Sequence, residues 1–384
     1  MEKFGYHIHN DLALSILLKL PLKSLKRFNC VCKSWSQLFE NPNFMSMYWS
    51  NFITSNHSSY QDVLFLLIPK TYRNKHPGLY SLSGERYENK VKLDWPPPFQ
   101  EDDRAMGMMG TVINGIVCLY QGGMPNVVLW NPTTEEFKVI PPSPTETPVI
   151  YEDECFEYHG FGYDLVRDDY NVIRHVLYQL DVSDTDDMEG KPNNVSRNDT
   201  WEIYSLRRNS WKKLDLDLPQ IRSNWGHLPI YMNGMCHWAE ESGDESYMVS
   251  FYLSNELLCI TPFPMDMNDS FDDFVIPHFR VLNESIALIL NYLKMTTFHI
   301  LILGELGVKE SWTKLYIIGP IPCIEHPIGK GENGDLFFRR KDGEIVWFNY
   351  NTQKIEELGL QADAYSPDIV IYKESLLPIG QIYN

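Results

Sequence analysis

Val128-Leu129-Trp130-Asn131-Pro132-Thr133-Thr134 is an apolar run that stops on Asn-Pro. Its β-branched and aromatic content and its length suit one short strand, and the polar turn after it leads to a second strand that closes at Ile140-Pro141. The same module, strand, polar turn, strand, then proline or loop, recurs along the chain. It runs from Gly78-Leu79-Tyr80-Ser81-Leu82 to Trp95-Pro96, from Trp201–Leu206 to Leu218-Pro219, and from Met248–Leu253 to Phe263-Pro264. Two more copies run from Phe298–Leu303 to Gly319-Pro320 and from Ile345–Tyr350 to Leu358.

The closing positions are 45, 78, 45, 56 and 38 residues apart. Apart from the 78, these are near the length of one propeller blade. The long interval holds an acidic, Asn-rich stretch, Asp181–Asp199, whose composition predicts a disordered loop. A second marker, Asn-Gly before an apolar strand, appears at Asn114-Gly115, Asn233-Gly234 and Asn333-Gly334. Glycine there supplies the left-handed turn of a hairpin. Six hairpin units that close radially would protect their sheet edges, so a β-propeller is the expected fold and a β-sandwich the alternative. Hairpins are not whole blades, which leaves the blade count open by one or two.

The N-terminal region follows a different period. Asn10 or Asp11 can cap a helix with Leu12, Ile16, Leu17 and Leu20 as its apolar positions, and Pro21 stops it. Ser24 can cap a second helix bearing Leu25, Phe28, Val31 and Cys32. A third, from about Lys33, carries Trp35, Leu38 and Phe39. Three short helices bury little surface, so such a module should lean on a partner. The expected architecture is α+β by domain: a three-helix domain over 1–50, a connecting segment over 51–75, and an all-β domain over 76–384.

Composition bounds the function. The chain has 384 residues, 43% hydrophobic and 22% charged, ordinary values for a globular protein. No apolar stretch approaches membrane-spanning length and no basic leader precedes an apolar core at the N-terminus, so an intracellular location, cytoplasm or nucleus, is expected. Seven cysteines, mostly within apolar runs, read as free thiols in a reducing compartment. The net charge is −18, while the first 50 residues hold six Lys/Arg against three Asp/Glu. The acid excess therefore lies in the β domain, which argues against nucleic acid or an anionic membrane as partner. It permits a basic target protein; solubility alone explains the acid equally well.

The stretch Ile8–Leu38 resembles the F-box family. Leu12, Ile16, Leu17, Leu20-Pro21, Lys23-Ser24-Leu25-Lys26-Arg27-Phe28, Cys30-Val31-Cys32-Lys33-Ser34-Trp35 and Leu38 fall in register with its pattern. Polar positions are part of the match, which core packing alone does not demand. Two positions depart from it: Ile8-His9 stands where the family has Leu-Pro, and Ser15 where Glu is common. The resemblance implies docking to a Skp-family adaptor and, through it, to a cullin and a RING protein. Leu12, Ile16, Leu17, Leu20, Pro21, Lys23, Ser24, Leu25, Val31 and Trp35 are the positions it offers for adaptor binding, with Leu20, Pro21 and the Lys23–Leu25 turn foremost. Some of these must form the module's own core, and sequence does not divide the two sets.

The β domain has its own likeness. Phe161-Gly162-Tyr163-Asp164 with Asp168-Asp169-Tyr170-Asn171-Val172, the Trp130-Asn131-Pro132 strand end, and Val308–Leu315 resemble the plant F-box-associated, Kelch-like domain. The implied role is a non-catalytic subunit that holds a target for ubiquitination, a mechanism that works by proximity. An adaptor-bound scaffold without degradation is a second reading, and a propeller lectin or enzyme a third.

Other motifs carry less. Gly329-x-Gly331-x-x-Gly334 matches a dinucleotide fingerprint by letter, but Asp335-Leu336-Phe337-Phe338 continues as a strand where a helix is needed. Cys30-x-Cys32 and Cys236-His237 lack a second pair at metal-site spacing. His159, His227, His237 and His299 are scattered and read as hydrogen-bonded structural residues. No metal, cofactor or catalytic residue is expected. The tryptophans at 130, 201, 211, 238, 312 and 347 fall at strand positions and read as blade packing. Target-binding residues remain unassigned, with Gln121–Asn126, Asp181–Asp199 and Met265–Asp273 as candidate loops.

Overall fold

The computed structural model describes residues 10–18 and 44 of the N-terminal region, residues 63–68 and, with gaps, residues 78–379. The gaps include 101–105, 145–152, 180–198, 219–227, 265–274 and 363–366. Among the described residues, one α-helix, α1 (Asn10–Leu17), precedes six four-stranded antiparallel sheets, here called blades one to six in chain order. The second and third expected helices and the acidic loop at 180–198 lie outside the described residues.

Blades two to six are each built from four consecutive strands, starting at an inner strand. The inner strands are Met106–Met108, Asp153–Asp164, Ile230–Met232, Val275–Leu282 and Ile324–Lys330. Blade one is composite. Its inner strand, Asp368–Tyr372, comes from the far end of the chain and pairs with Val63–Ile68, which pairs in turn with Gly78–Ser83. Phe65 sits between Val370 on one side and Ser81 on the other. Val63–Ile68 lies within the 51–75 stretch that composition leaves as a connection. Six consecutive apolar residues suit a strand with neighbours on both edges.

Six buried clusters, one at each blade junction, close the ring. Leu79 and Val370 meet Met108 and Trp130 between blades one and two. Cys118 and Leu129 meet Phe156 and Tyr204 between two and three. Ile173 and Trp201 meet Trp238 and Phe251 between three and four. Met248 meets Phe279 between four and five, and Ile289 meets Phe338 between five and six. Phe337 and Trp347 of blade six then meet Leu82 and Tyr87 of blade one. A sandwich would have one interface between two sheets. The sequence of interfaces returning to its start is that of a propeller.

The repeat read from sequence is the outer half of each blade. Its first strand is the third of the sheet: Gly78–Ser83, Val127–Asn131, Thr200–Ser205, Glu245–Tyr252, Thr297–Leu303 and Glu344–Asn349. The long interval holds both the inner hairpin of blade three, with strands of 12 and 11 residues, and the stretch between Gln179 and Thr200. At Asn114-Gly115 and Asn233-Gly234 the Asn-Gly marker is the inner hairpin turn, while Asn333-Gly334 lies outside the described residues. Asn114 and Gly115 have φ of 51° and 76°, and Asn233 and Gly234 have 52° and 78°, the pair of left-handed residues that a two-residue hairpin loop requires.

The motif residues mostly build the ring. Asn131, fully buried, donates from Nδ2 to the Ser375 carbonyl at 2.8 Å and accepts from Tyr372 Oη at 3.1 Å, tying blade two to the closing strand. Asp164 accepts from the amides of Val166 (2.9 Å) and Arg167 (3.1 Å), fixing the turn of blade three. Gly162 lies so close to Cys236 and Leu253 of blade four that a side chain would collide with both. All six tryptophans of the repeat are buried. Two of them bond backwards around the ring: Trp211 Nε1 donates to the Pro141 carbonyl at 2.8 Å, and Trp312 Nε1 to the Pro262 carbonyl at 3.1 Å. The glycine-rich fingerprint is packing as well, since Gly329 abuts Ile369 of blade one and Leu336–Arg340 is a strand.

Candidate functional site

Helix α1 is amphipathic in an informative way. Leu14, Leu17 and Leu18 stand at i, i+3 and i+4, so they share a face, and the Leu18 amide donates to the Leu14 carbonyl at 3.0 Å. Leu17 (1% exposed), Leu18 and Phe44 belong to the buried cluster between blades five and six, with Leu14 packed against it. Burying one leucine in this way stabilises by about 1.5–3 kcal/mol. Ser15 and Ile16 are exposed, Ile16 at 47%. Packing therefore separates two of the apolar positions read together in the sequence: Leu17 faces the propeller and Ile16 faces solvent. Leu12 lies in α1. Leu20, Pro21, Lys23, Ser24, Leu25, Val31, Trp35 and the Cys30/Cys32 pair lie outside the described residues.

Of the three candidate target loops, 265–273 and all but the last residue of 181–199 lie outside the described residues. Gln121–Asn126 links the second and third strands of blade two. Within the described residues, Gln121–Asn126 is a closed turn. The Gln121 amide donates to the Asn126 carbonyl at 3.2 Å, and Tyr158 of blade three donates its hydroxyl to the Met124 carbonyl at 2.7 Å.

The ring encloses a cavity of about 200 Å³, lined by Tyr231, Ile230, Arg280, Lys330, Ile369 and Val370 among others. Burial pushes the Lys330 ammonium down to about 8. It pushes the nearby Asp368 carboxyl up to about 7, outweighing the attraction of Arg280. His326 is driven down to about 4 by burial and then by Arg280. Two cations, Arg280 and Lys330, thus line the centre of an acidic protein, with a carboxyl that resists ionisation near Arg280.

A second polar cluster lies at the junction of blades three and four. Glu157 and His159 are on the inner strand of blade three, and His175 is directly opposite Glu157. The register shifts between Tyr158 and Gly160, so His159 is the extra residue of a β-bulge, a feature that re-aims side chains. One ligand atom from each of Glu157, His159 and His175 lies within 4.8 Å of the others. His159 and His175 are both buried, and His159 Nε2 and His175 Nδ1 have no hydrogen-bond partner. The reading of His159 as a satisfied structural histidine is therefore corrected. Its Nδ1 lies 3.7 Å from Glu240 Oε1, while its Nε2 faces Glu157 at 3.8 Å. Counting residues back from the Asp164/Asp169 turn would place Val176 opposite Glu157; the bulge puts His175 there instead. Cys236 and His237 do not join the cluster. Cys236 is buried against Gly160, and His237 Nδ1 bonds Ser250 Oγ at 2.8 Å.

Residues 78–379 match the F-box associated beta propeller domain, and residues 7–47 match the F-box domain. The chain is similar to an Arabidopsis thaliana F-box/kelch-repeat protein, 26% identical over 341 residues that cover 85% of this chain and 84% of that one. It is also similar to the Arabidopsis thaliana F-box protein CPR1, 23% identical over 396 residues covering 97% of this chain and 90% of the relative. Among solved structures, a chain of a nidogen/laminin complex aligns with a TM-score of 0.46 at 10% identity, covering 82% of this chain and 99% of that chain.

Proposed function

Because the chain belongs to the F-box-associated β-propeller family, we propose that it is the substrate-recognition subunit of a Skp–cullin–F-box ubiquitin ligase. The observation that carries this reading is the order of parts: an F-box at 7–47 followed by a propeller, with α1 anchored on blades five and six through Leu17 and presenting Ile16 outward. The F-box forms three helices. Ile16, Leu20, Pro21 and the Lys23–Leu25 turn dock a Skp-family adaptor, which bridges to a cullin and a RING protein. The loop face of the propeller holds a target protein, for which the acidic β domain favours a basic surface. The chain itself performs no chemistry. Anchoring the F-box on the propeller fixes the target relative to the conjugating enzyme, and the rate gain is one of effective concentration.

The test is capture of a Skp-family adaptor by the full chain, with a Leu20→Ala/Pro21→Ala double variant alongside. The double variant should lose capture while keeping the thermal transition of the propeller. Undiminished capture would overturn the docking assignment. In cells, proteins that co-purify with the chain should be ubiquitinated in its presence and not with the double variant. A bound partner whose turnover ignores the variant would mark the chain as a scaffold.

A further inference from the structure

We propose that Glu157, His159 and His175 form a binding site for one divalent transition-metal ion of the zinc class. The argument begins with unpaired nitrogens. His159 and His175 are 6% and 1% exposed, and each turns one ring nitrogen without a hydrogen-bond partner toward the Glu157 carboxylate. Leaving a buried polar atom unpaired costs about 1–3 kcal/mol, so two of them aimed at one point call for a common partner. The Glu157 Oε2 atom lies 3.8 Å from His159 Nε2 and 4.0 Å from His175 Nδ1. Ligands of a tetrahedral ion with bonds of about 2.0–2.2 Å stand roughly 3.3 Å apart, so small side-chain shifts bring all three into range.

The surroundings orient the ligands. His175 Nε2 lies 2.9 Å from Asp199 Oδ2, which places the ring proton on Nε2 and leaves the Nδ1 lone pair for the ion. Behind His159, Glu240 lies near Nδ1 and is itself held by a 2.8 Å bond from Trp238 Nε1. A carboxylate behind each imidazole is the arrangement that raises ligand basicity at zinc sites. Trp201 stacks on His175 at 4.4 Å, and Trp238 lies 5.5 Å from His159, which limits solvent at the site. Two imidazoles and one carboxylate suit zinc and its neighbours; calcium and magnesium favour all-oxygen shells. Three protein ligands leave a fourth position for water or an outside ligand. The site joins the inner hairpin of blade three to blade four. Through Asp199 it also reaches the point where the chain re-enters the sheet after residues 180–198.

The test uses the full chain without a histidine tag, stripped with EDTA and dialysed. Titration with Zn²⁺, followed by calorimetry and elemental analysis, should give one ion per chain and a raised melting temperature. Co²⁺ should produce the visible bands of a four-coordinate N/O site. Glu157→Gln and His175→Ala should each abolish stoichiometric uptake. Asp199→Ala, which leaves all three ligands in place, should weaken binding by about 10–100-fold. His299→Gln, away from the cluster, should bind as the parent does. Should His175→Ala fail to fold, Glu157→Gln still decides, because Glu157 is only partly buried. The proposal is overturned if the parent takes up well under one ion per chain, or if uptake and cobalt spectrum survive Glu157→Gln.

Discussion

Arg174 donates to Glu202 Oε2 from both Nε (2.8 Å) and Nη2 (2.6 Å), and both side chains are buried. The two face each other across adjacent strands of blade three. The guanidinium lies between the rings of Phe156 (4.7 Å) and Trp211 (3.9 Å), and Ser143 Oγ donates to Glu202 Oε1 at 2.6 Å. Arg174→Met would remove the two-pronged cationic partner of a buried carboxylate, which costs about 3–5 kcal/mol. The double change Arg174→Met/Glu202→Leu removes both charges and should recover most of that loss. Urea unfolding of the two variants and the parent measures the difference. A double variant no more stable than the single would show that the ring contacts, not the charge pair, hold this position.

Asp368 predicts a pH dependence. Its folded-state value is raised to about 7, by burial against the opposing pull of Arg280. Tyr120, which Asp368 pushes further upward, is a second titratable neighbour but stays protonated across this range. A group raised on folding contributes stability that is complete below its unfolded value near 4 and lost as pH rises through about 7. Asp368→Asn should therefore raise the melting temperature at pH 8, by about 2 °C or more, and change it little at pH 4.5. Equal effects at both pH values would show that Asp368 is ionised throughout.

Asn131 is the polar tie that secures the closing strand. Its amide spans blade two, Ser375 and Tyr372, and it also accepts from the Thr133 amide at 3.0 Å. Asn131→Ala should cost about 1–3 kcal/mol through the loss of these buried hydrogen bonds. Limited proteolysis read by intact mass should show faster loss of the C-terminal segment. Tyr372→Phe keeps the Asn131–Ser375 bond and should do less on both measures.

How much of this was legible depends on which forces acted locally. The third strand of each blade is a largely apolar run with a clear stop, so Val127–Asn131 and its equivalents stand out. The inner strands Met106–Met108 and Ile230–Met232 have three residues each, too few to show a period, and are buried by the ring as a whole. The pairing of Val63–Ile68 with Asp368–Tyr372 joins opposite ends of the β region, and neither strand's composition identifies its partner. The Glu157–His159–His175 cluster was hidden by one residue. Glu157-x-His159 signals a shared strand face, but the bulge at His159 shifts the opposite strand, and no composition rule locates it. In the F-box, the apolar pattern was readable, whereas only packing against blades five and six turns Leu17 inward.

That division of α1 gives the sharpest test of the proposed docking. Ile16 is exposed and, among the described residues, belongs to none of the buried clusters of the propeller, so Ile16→Asp should leave the melting temperature nearly unchanged, within about 0.5 kcal/mol of stability. If this face meets the adaptor, the buried aspartate would carry an unpaired charge into the interface, and capture should fall at least tenfold. Leu17→Ala should behave in the opposite way. It opens a cavity beneath α1, costing about 2–5 kcal/mol, while the outward face survives and adaptor still binds at low temperature. Calorimetric melting and a quantitative pull-down on the same preparations read both effects. The reverse pattern, with capture lost on Leu17→Ala and kept on Ile16→Asp, would mean that α1 leaves the propeller when the adaptor binds, and that Leu17 belongs to the docking set.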